Sequence, residues 1–457
     1  MTGPPETIRR DWCSNCLIRR PDQLNVRVLS NAVPTVTCMP FPRSSLTALR
    51  ENPAVRVWRF PSYRLFMSGL AIYQMTSWMQ RVGVGWLAWE LSSSHAWVGA
   101  VAAADLVPLV LLGPFAGAAA DRIDPVRLMR WTQIAMIAQA VALVTTTLSG
   151  MMRIELLLAL SLASGMIQPS YTAARQTIIP ALVPRSDYPS AITFDSICFH
   201  GSRFIGPMLA ALTITSMGVV STFVVHVLGC LVFFAQLARL KIDVQPHKPK
   251  NEKGFLASVG EGLEYARAHA GIWPLFMMLA VASLVARPLQ ELLPGFAGGV
   301  FDAGPTGLAW LTSSMGIGSL GAGIFLATRG HVQGLATASI AATCALGLTT
   351  FGFVATDKIG FALPFAVVWG FALTLMGVGI QSQTQIAVAD EMRGRVMMLY
   401  AMIYRGLPAV GALAVGFLAE HIGIRSTFAL AALITLAAWL AIAPRHHVID
   451  AAMRGRS

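Results

Sequence analysis

From about position 60 to position 443 the chain consists of apolar runs of about twenty residues, each ended by a short polar or charged break. At 1.5 Å rise per residue, about twenty residues cross a hydrocarbon layer of about 30 Å, so each run has the length of one membrane span. The breaks predict helices near 62–90, 97–120, 127–149, 154–178, 189–214 and 218–239. A second set follows near 272–297, 304–327, 333–354, 359–386, 396–419 and 425–443. A helix satisfies its own backbone N–H and C=O groups, which lipid cannot do, so runs of this length are expected as helices rather than strands.

The longest internal polar stretch, KIDVQPHKPKNEK followed by the helical-looking GFLASVGEGLEYARAHA, divides the two sets. An internal repeat crosses this divide. Gly218-Val-Val-Ser-Thr-Phe223 resembles Gly423-Ile-Arg-Ser-Thr-Phe428, and Thr145-Thr146 matches Thr349-Thr350, which would set the fifth helix over the eleventh and the third over the ninth. The expected fold is therefore an all-α polytopic membrane protein of about twelve transmembrane helices in two pseudo-symmetric six-helix bundles. The expected organisation is a poorly ordered, polar cytoplasmic extension over 1–57, a bundle over 58–240, a cytoplasmic linker over 241–271, a second bundle over 272–444 and a cytoplasmic tail over 445–457.

Charge gives the orientation. One family of loops holds Arg122, Arg127, Arg130, Arg175, Arg185, Lys241, Lys248, Lys250, Lys253, Arg329, Arg393 and Arg395, while the opposite family holds little beyond Arg153, Lys358 and Arg425. Cytoplasmic loops carry the excess of Lys and Arg, so both termini are expected inside, which requires an even number of crossings. The net charge of +12 is accounted for by these loops and termini, and nucleic acid is not an expected partner. Only 12% of residues are charged, about half the share of a soluble domain, and mean hydropathy is +0.61.

Six cysteines stand at 13, 16, 38, 198, 230 and 344, and the last three lie within apolar runs as small hydrophobes. Cys13 and Cys16 form a lone CxxC with no second pair or nearby histidine cluster to complete four metal ligands. No metal site and no cofactor is expected. The first 56 or so residues have no apolar core of signal-peptide length and are expected to be a cytosolic extension.

The most informative string is Gly113-Pro-Phe-Ala-Gly-Ala-Ala-Ala-Asp-Arg-Ile-Asp-Pro-Val-Arg127, from the inner end of the second helix into the next loop. Gly117 would let a neighbouring helix backbone come close, and Asp121 could accept hydrogen bonds from a facing helix N-terminus or pair with Arg175. These contacts would form in one access state and break in the other; the alternative is that Arg122, Arg127 and their neighbours are ordinary loop charges. The string resembles the signature loop of the major facilitator superfamily, with Asp124 in place of the usual glycine and Pro125 in place of the usual arginine. The second-half counterpart, Gly321-Ala-Gly-Ile-Phe-Leu-Ala-Thr-Arg-Gly330, lacks the acid.

Four further strings resemble the branch that contains enterobactin-type siderophore exporters and macrolide-type efflux proteins. They are Ser77-Trp-Met-Gln-Arg-Val-Gly-Val-Gly-Trp86, Ile179-Pro-Ala-Leu-Val-Pro184, Gly201-Ser-Arg-Phe-Ile-Gly-Pro207 and Asp390-Glu-Met-Arg-Gly-Arg395. With the signature loop, the resemblance spans about 58–443. Gly206-Pro207 resembles the fifth-helix motif of antiporters, where proline removes a backbone donor and glycine permits close packing, so a bend is expected. A packing kink without antiport is the alternative.

Ionisable residues within spans are costly and mark function by default. Here they are Arg81, Asp105, Asp195, Arg203, Arg287, Glu291 and Arg405. Arg81 and Asp105 flank the first outer turn at similar depth and could pair. Arg287 and Glu291, four apart on one helix, could pair too. Either pair could serve structure or proton coupling. Asp195 lies near the inner end of its helix and could reach the headgroups, and Arg203, deeper, could hold an anionic substrate or tie two helices together. His200 and His226 read as packing residues, with proton carriage the minority reading.

No GxxxxGK[ST] loop, HExxH, nucleophile elbow or catalytic triad occurs, so an enzyme is not expected. The resemblance implies a secondary transporter in the bacterial plasma (inner) membrane, working as a monomer. Its expected partners are the lipid bilayer, a small amphipathic substrate such as a siderophore or drug-like compound, and protons that drive export by alternating access. A facilitator or importer of a metabolite, and a receptor or anchor that has kept the fold, remain open alternatives.

Overall fold

A computed structural model describes residues 56–240, 242, 255–329 and 333–453, all within one compact unit. Expectations for residues 1–55, including the Cys13/Cys16 pair, lie outside the described residues.

The first six long helices are α1 (Pro61–Ser92), α2 (His95–Arg122), α3 (Pro125–Leu148), α4 (Ile154–Ala181), α5 (Tyr188–Met217) and α6 (Val220–Arg239). An amphipathic linker helix, α7 (Phe255–Ala268), follows. The second half comprises α8 over 272–300, α9 (Gly304–Arg329), α10 (Leu335–Val354), α11 (Ile359–Ala387), α12 (Asp390–Ile422) and α13 (Ile424–Ile442), with a short α14 (His446–Met453) closing the chain. The described residues thus hold twelve long helices in two sets of six. Ten are apolar enough along their length to read as spans on composition alone. The other two, α1 and α4, are diluted by polar side chains turned into the protein, among them Gln74, Thr76 and Gln80 on α1 and Ser161 on α4.

Local chemistry sets the ends. Pro61 opens α1 with the fixed φ of a first helical residue. Asp124 caps α3, its Oδ1 accepting from the N–H of Val126 at 2.9 Å with Pro125 next in line. The two departures from the signature loop are therefore a helix start. The repeated strings at 218 and 423 mark the same turn in both halves: Gly218 and Gly423 take φ of +77° and +83°, a region that disfavours a side chain.

One helix start differs from expectation. Helix α12 begins at Asp390, not near 396, because the polar run DEMRGR is helical, with Asp390 and Glu391 favourably placed at the N-terminal dipole. The linker helix α7 docks on this start through a Glu261–Arg395 ion pair of 2.9 Å and the Tyr265 hydroxyl, which accepts from the N–H of Ala389. Beside it, His269 Nδ1 accepts from the N–H groups of Gly271 and Ile272, which requires the neutral ring, and burial pushes the His269 pKa down. At the two ends of the unit, Val57 is fully buried and Arg56 pairs with Asp187, while α14 buries Ile449 and Met453.

In lipid, helices associate by close packing at small residues rather than by hiding apolar surface. Within the second half Gly318 lies against the carbonyl of Val367, and Gly370 lies reciprocally against that of Met315. Two seams join the halves: α2 with α12, and α5 with α9. At the end away from the basic loops the first seam is tight. Gly99 abuts the carbonyl of Ala412, and a Cβ on Gly416 would stand 2.8 Å from the carbonyl of His95. The second seam is tight at Gly316, where a Cβ would stand 2.9 Å from the backbone of Phe204.

Toward the basic end both seams part. Gly117 lies about five turns beyond Gly99 on the same face of α2, and Gly323 about two turns beyond Gly316 on α9. A Cβ at either would meet nothing within 4 Å. Phe115, beside Gly117, is 73% exposed.

Candidate functional site

The candidate site occupies the region where the halves meet. On α1, Arg81 donates from Nη2 to Asp105 Oδ2 of α2 at 2.5 Å, so the structure brings this expected pair together. The side chains are 37% and 25% exposed, a pair that water can reach. Gly165 of α4 presses on the carbonyl of Asp105 at 2.6 Å from its virtual Cβ and holds that turn of α2 in place.

One turn before Arg81, the Trp78 ring lies 5.5 Å from the Arg81 guanidinium and 5.7 Å from that of Arg203 on α5. Arg203 donates to Gln290 Oε1 on α8, and so ties the halves together as well as facing the site. Gly206 explains why α5 stands so close: its Cβ position is 2.8 Å from the carbonyl of Met75 and 2.6 Å from Trp78 Cβ. Pro207 follows inside the helix, buried.

Arg287 and Glu291 do not pair. The helix around them is not regular: a π-turn at Ala282–Ala286 precedes Arg287, and the N–H of Gln290 bonds the Arg287 carbonyl, an i+3 contact that overwinds the turn. The pairing expectation assumed uniform α geometry. Arg287 instead donates to the carbonyl of Tyr404 on α12 and lies 4.4 Å over its ring. Tyr404 in turn stacks on Tyr400 at 5.6 Å. Glu291 remains within electrostatic range of Arg81 and Arg203. A π-turn on α12, Met402–Gly406, carries Arg405, which is exposed.

Arg175, expected opposite Asp121, donates from Nη2 to both carboxylate oxygens of Asp195, at 2.5 and 2.6 Å. The side chain of Asp121 lies outside the described residues. Arg122 is exposed, and Arg127 pairs at 3.7 Å with Asp124. His226 is a packing residue, bridged by Thr76 Oγ1 at 3.1 Å and Cys230 Sγ at 3.4 Å. His200 stands edge-on to Phe199.

Sequence reasoning passed over Glu420. From α12 it accepts hydrogen bonds from Ser94 Oγ at 3.1 Å and the N–H of His95 at 3.0 Å, where α2 begins with unsatisfied donors. One half thereby caps a helix of the other. Near it, Trp89 of α1 covers Gly298 and Gly299 of α8. A separate apolar cavity of about 350 Å³ lies between α5 and α9, lined by Met208, Leu212, Trp310 and Ile317. These walls are exposed apolar side chains with no charge among them, unlike the arginine-rich site.

The sequence profile described as transmembrane secretion effector, within the major facilitator superfamily, matches residues 59–453. The chain belongs to that family. It is an integral membrane transporter of small molecules and not an enzyme. This superfamily member is similar to the staphyloferrin A transporter of Staphylococcus aureus, 23% identical over 82% of this chain and 93% of the relative. It is also similar to the multidrug efflux pump Tap of Mycolicibacterium fortuitum, 22% identical over 76% and 86%. Among solved structures, the nucleoside transporter NupG superposes with a TM-score of 0.64 at 13% identity, over 89% of this chain and 100% of that one. A bacterial homologue of the lysosomal transporter Spinster, in an inward-facing and occupied conformation, gives 0.63 at 15%, over 86% and 98%. At such identities these two likenesses speak for the shared fold alone.

Proposed function

We propose that this transporter is a proton-coupled exporter of a small amphipathic molecule, cycling between access states by rocking its two six-helix halves. The observation that carries the reading is the Arg81–Asp105 pair, a water-accessible carboxylate and guanidinium on neighbouring helices where the halves meet. A low dielectric favours the neutral carboxyl and an adjacent guanidinium favours the ionised one, so a change in their separation loads or releases a proton. Glu291 is the second acid in range. Export is supported by the secretion description of the family and by the efflux pump among the relatives.

By the positive-inside rule the basic end is cytoplasmic, with both termini and the 241–271 linker on that side of the bacterial inner membrane. The state described here then faces inward. The Asp121 loop, with Gly117, Arg122 and Arg127, is the gate that closes in the outward state, and the single chain is the transport unit.

The test is flux in proteoliposomes under an imposed pH gradient, with a substrate of the efflux class. The Asp105→Asn protein should keep substrate exchange and lose most of the response to the gradient, with Glu291→Gln removing the remainder. Full proton-driven flux in the double variant would refute the assignment of the coupling acid.

A further inference from the structure

The charges at the centre of the molecule do not balance. Four guanidinium groups, on Arg81, Arg203, Arg287 and Arg405, face two carboxylates, on Asp105 and Glu291. They form one electrostatic group: Arg203 is within range of Arg81, Arg287 and Glu291, and Arg405 is within range of Arg287. Arg81 alone has a carboxylate at ion-pair distance among the described residues. Arg203 is met by the amide oxygen of Gln290, and Arg287 by the carbonyl of Tyr404, both neutral acceptors. Arg405 makes no hydrogen bond or ion pair among the described residues, and its charged neighbours include two more cations, Arg287 and Arg175.

Ionisable groups within helix spans mark function, and here Arg405 is exposed with no acceptor among the described side chains, open to an anion that enters the space from water. Arginine does not give up its proton at physiological pH, which separates this surplus from the coupling acids. Trp78 and Tyr404 take the faces of Arg81, Arg203 and Arg287, leaving the N–H edges as the recognition surface. A guanidinium edge matches a carboxylate in bidentate fashion.

We infer that the space between the halves is an anion site, and that the cargo carries at least two carboxylate groups held by Arg405 together with Arg203 and Arg287. This rests on reading that space as the cargo site, and not on proton coupling.

The test is equilibrium binding to the full chain in phosphatidylcholine nanodiscs. The probes are the fluorescent dicarboxylate dansyl-glutamate and its dimethyl ester, which share a skeleton and differ in charge. The diacid should bind at least tenfold more tightly than the ester. Arg405→Gln should weaken the diacid at least tenfold and leave the ester unchanged, with Arg405→Lys retaining part of the preference in a protein of the same fold. Arg203→Gln should weaken the diacid by the same mechanism. Equal binding of acid and ester, no binding of either, or wild-type affinity in both glutamine variants would overturn the inference. Loss of diacid binding in phosphatidylglycerol nanodiscs would assign the anion to a lipid headgroup and overturn it as well. Failure here would leave gradient-driven flux of a neutral compound intact, and failure of that flux would leave the binding difference intact.

Discussion

The two ends of the seam between α2 and α12 are made of the same material and behave oppositely. At Gly99 and Gly416 the backbones touch, and Glu420 adds a carboxylate across the start of α2. About five turns away on the same face of α2, Gly117 faces open space. The seam between α5 and α9 repeats the pattern, tight at Gly316 and open at Gly323. Small residues spaced along one face are thus not evidence of one continuous interface. They allow contact along the whole length, and the conformation decides which end uses it.

The largest effect expected from breaking this asymmetry is at the tight end. Gly99→Val places a side chain on the Ala412 carbonyl, and overpacking of this kind costs about 1–3 kcal/mol. Transport should fall by roughly ten- to a hundredfold, and a cysteine at the buried Ala412 position should become reactive to an impermeant maleimide. Gly117→Val on the same helix face should leave that cysteine protected, because nothing stands near it in this state, and should slow turnover by blocking closure of the open end. Equal effects of the two substitutions on labelling would remove the distinction between the ends.

A smaller effect is expected from Glu420→Gln, which keeps the shape and removes the charge at the helix N-terminus. Such charges contribute about 0.3–1 kcal/mol when exposed, so the outer-closed population should drop by roughly two- to fivefold. The labelling rate at the Ala412 cysteine reports it. An unchanged rate would mean that the glycine contacts alone hold the seam.

How far the sequence led depends on which physical quantity each feature needs. Helix positions follow from run length, and they agree closely except where α12 extends into the polar DEMRGR segment, which hydropathy excludes. Arg81 and Asp105 were within reach because one short turn joins their helices, so depth can be counted along the chain. Depth counting left the partner of Arg175 open: Asp195 takes it in the described state, and the side chain of Asp121 lies outside the described residues. The four-residue spacing of Arg287 and Glu291 misled for another reason, because π-turns rotate side chains without leaving a mark in hydropathy. Glu420 was illegible for a third reason. Its partner is a helix end in the other half, brought to it by the seam alone, and a search of the outer loops for Lys and Arg passes over an acid. The surplus of arginines over carboxylates could be counted in the sequence, but not that Arg405 has no ion pair among the described residues.

The central claim is that the halves rock, so that the open and closed ends of the seams exchange. Distances between spin labels measure this directly in the full chain in nanodiscs, with one pair at Phe115 and Arg393 across the open end and another at Leu91 and Ile422 across the tight end. All four positions lie on the protein surface in the described state. As pH and a transported compound are varied, the account predicts two populations in each pair, with the first distance shortening as the second lengthens. Distances that stay single and fixed under every condition, or that lengthen and shorten together, would contradict it.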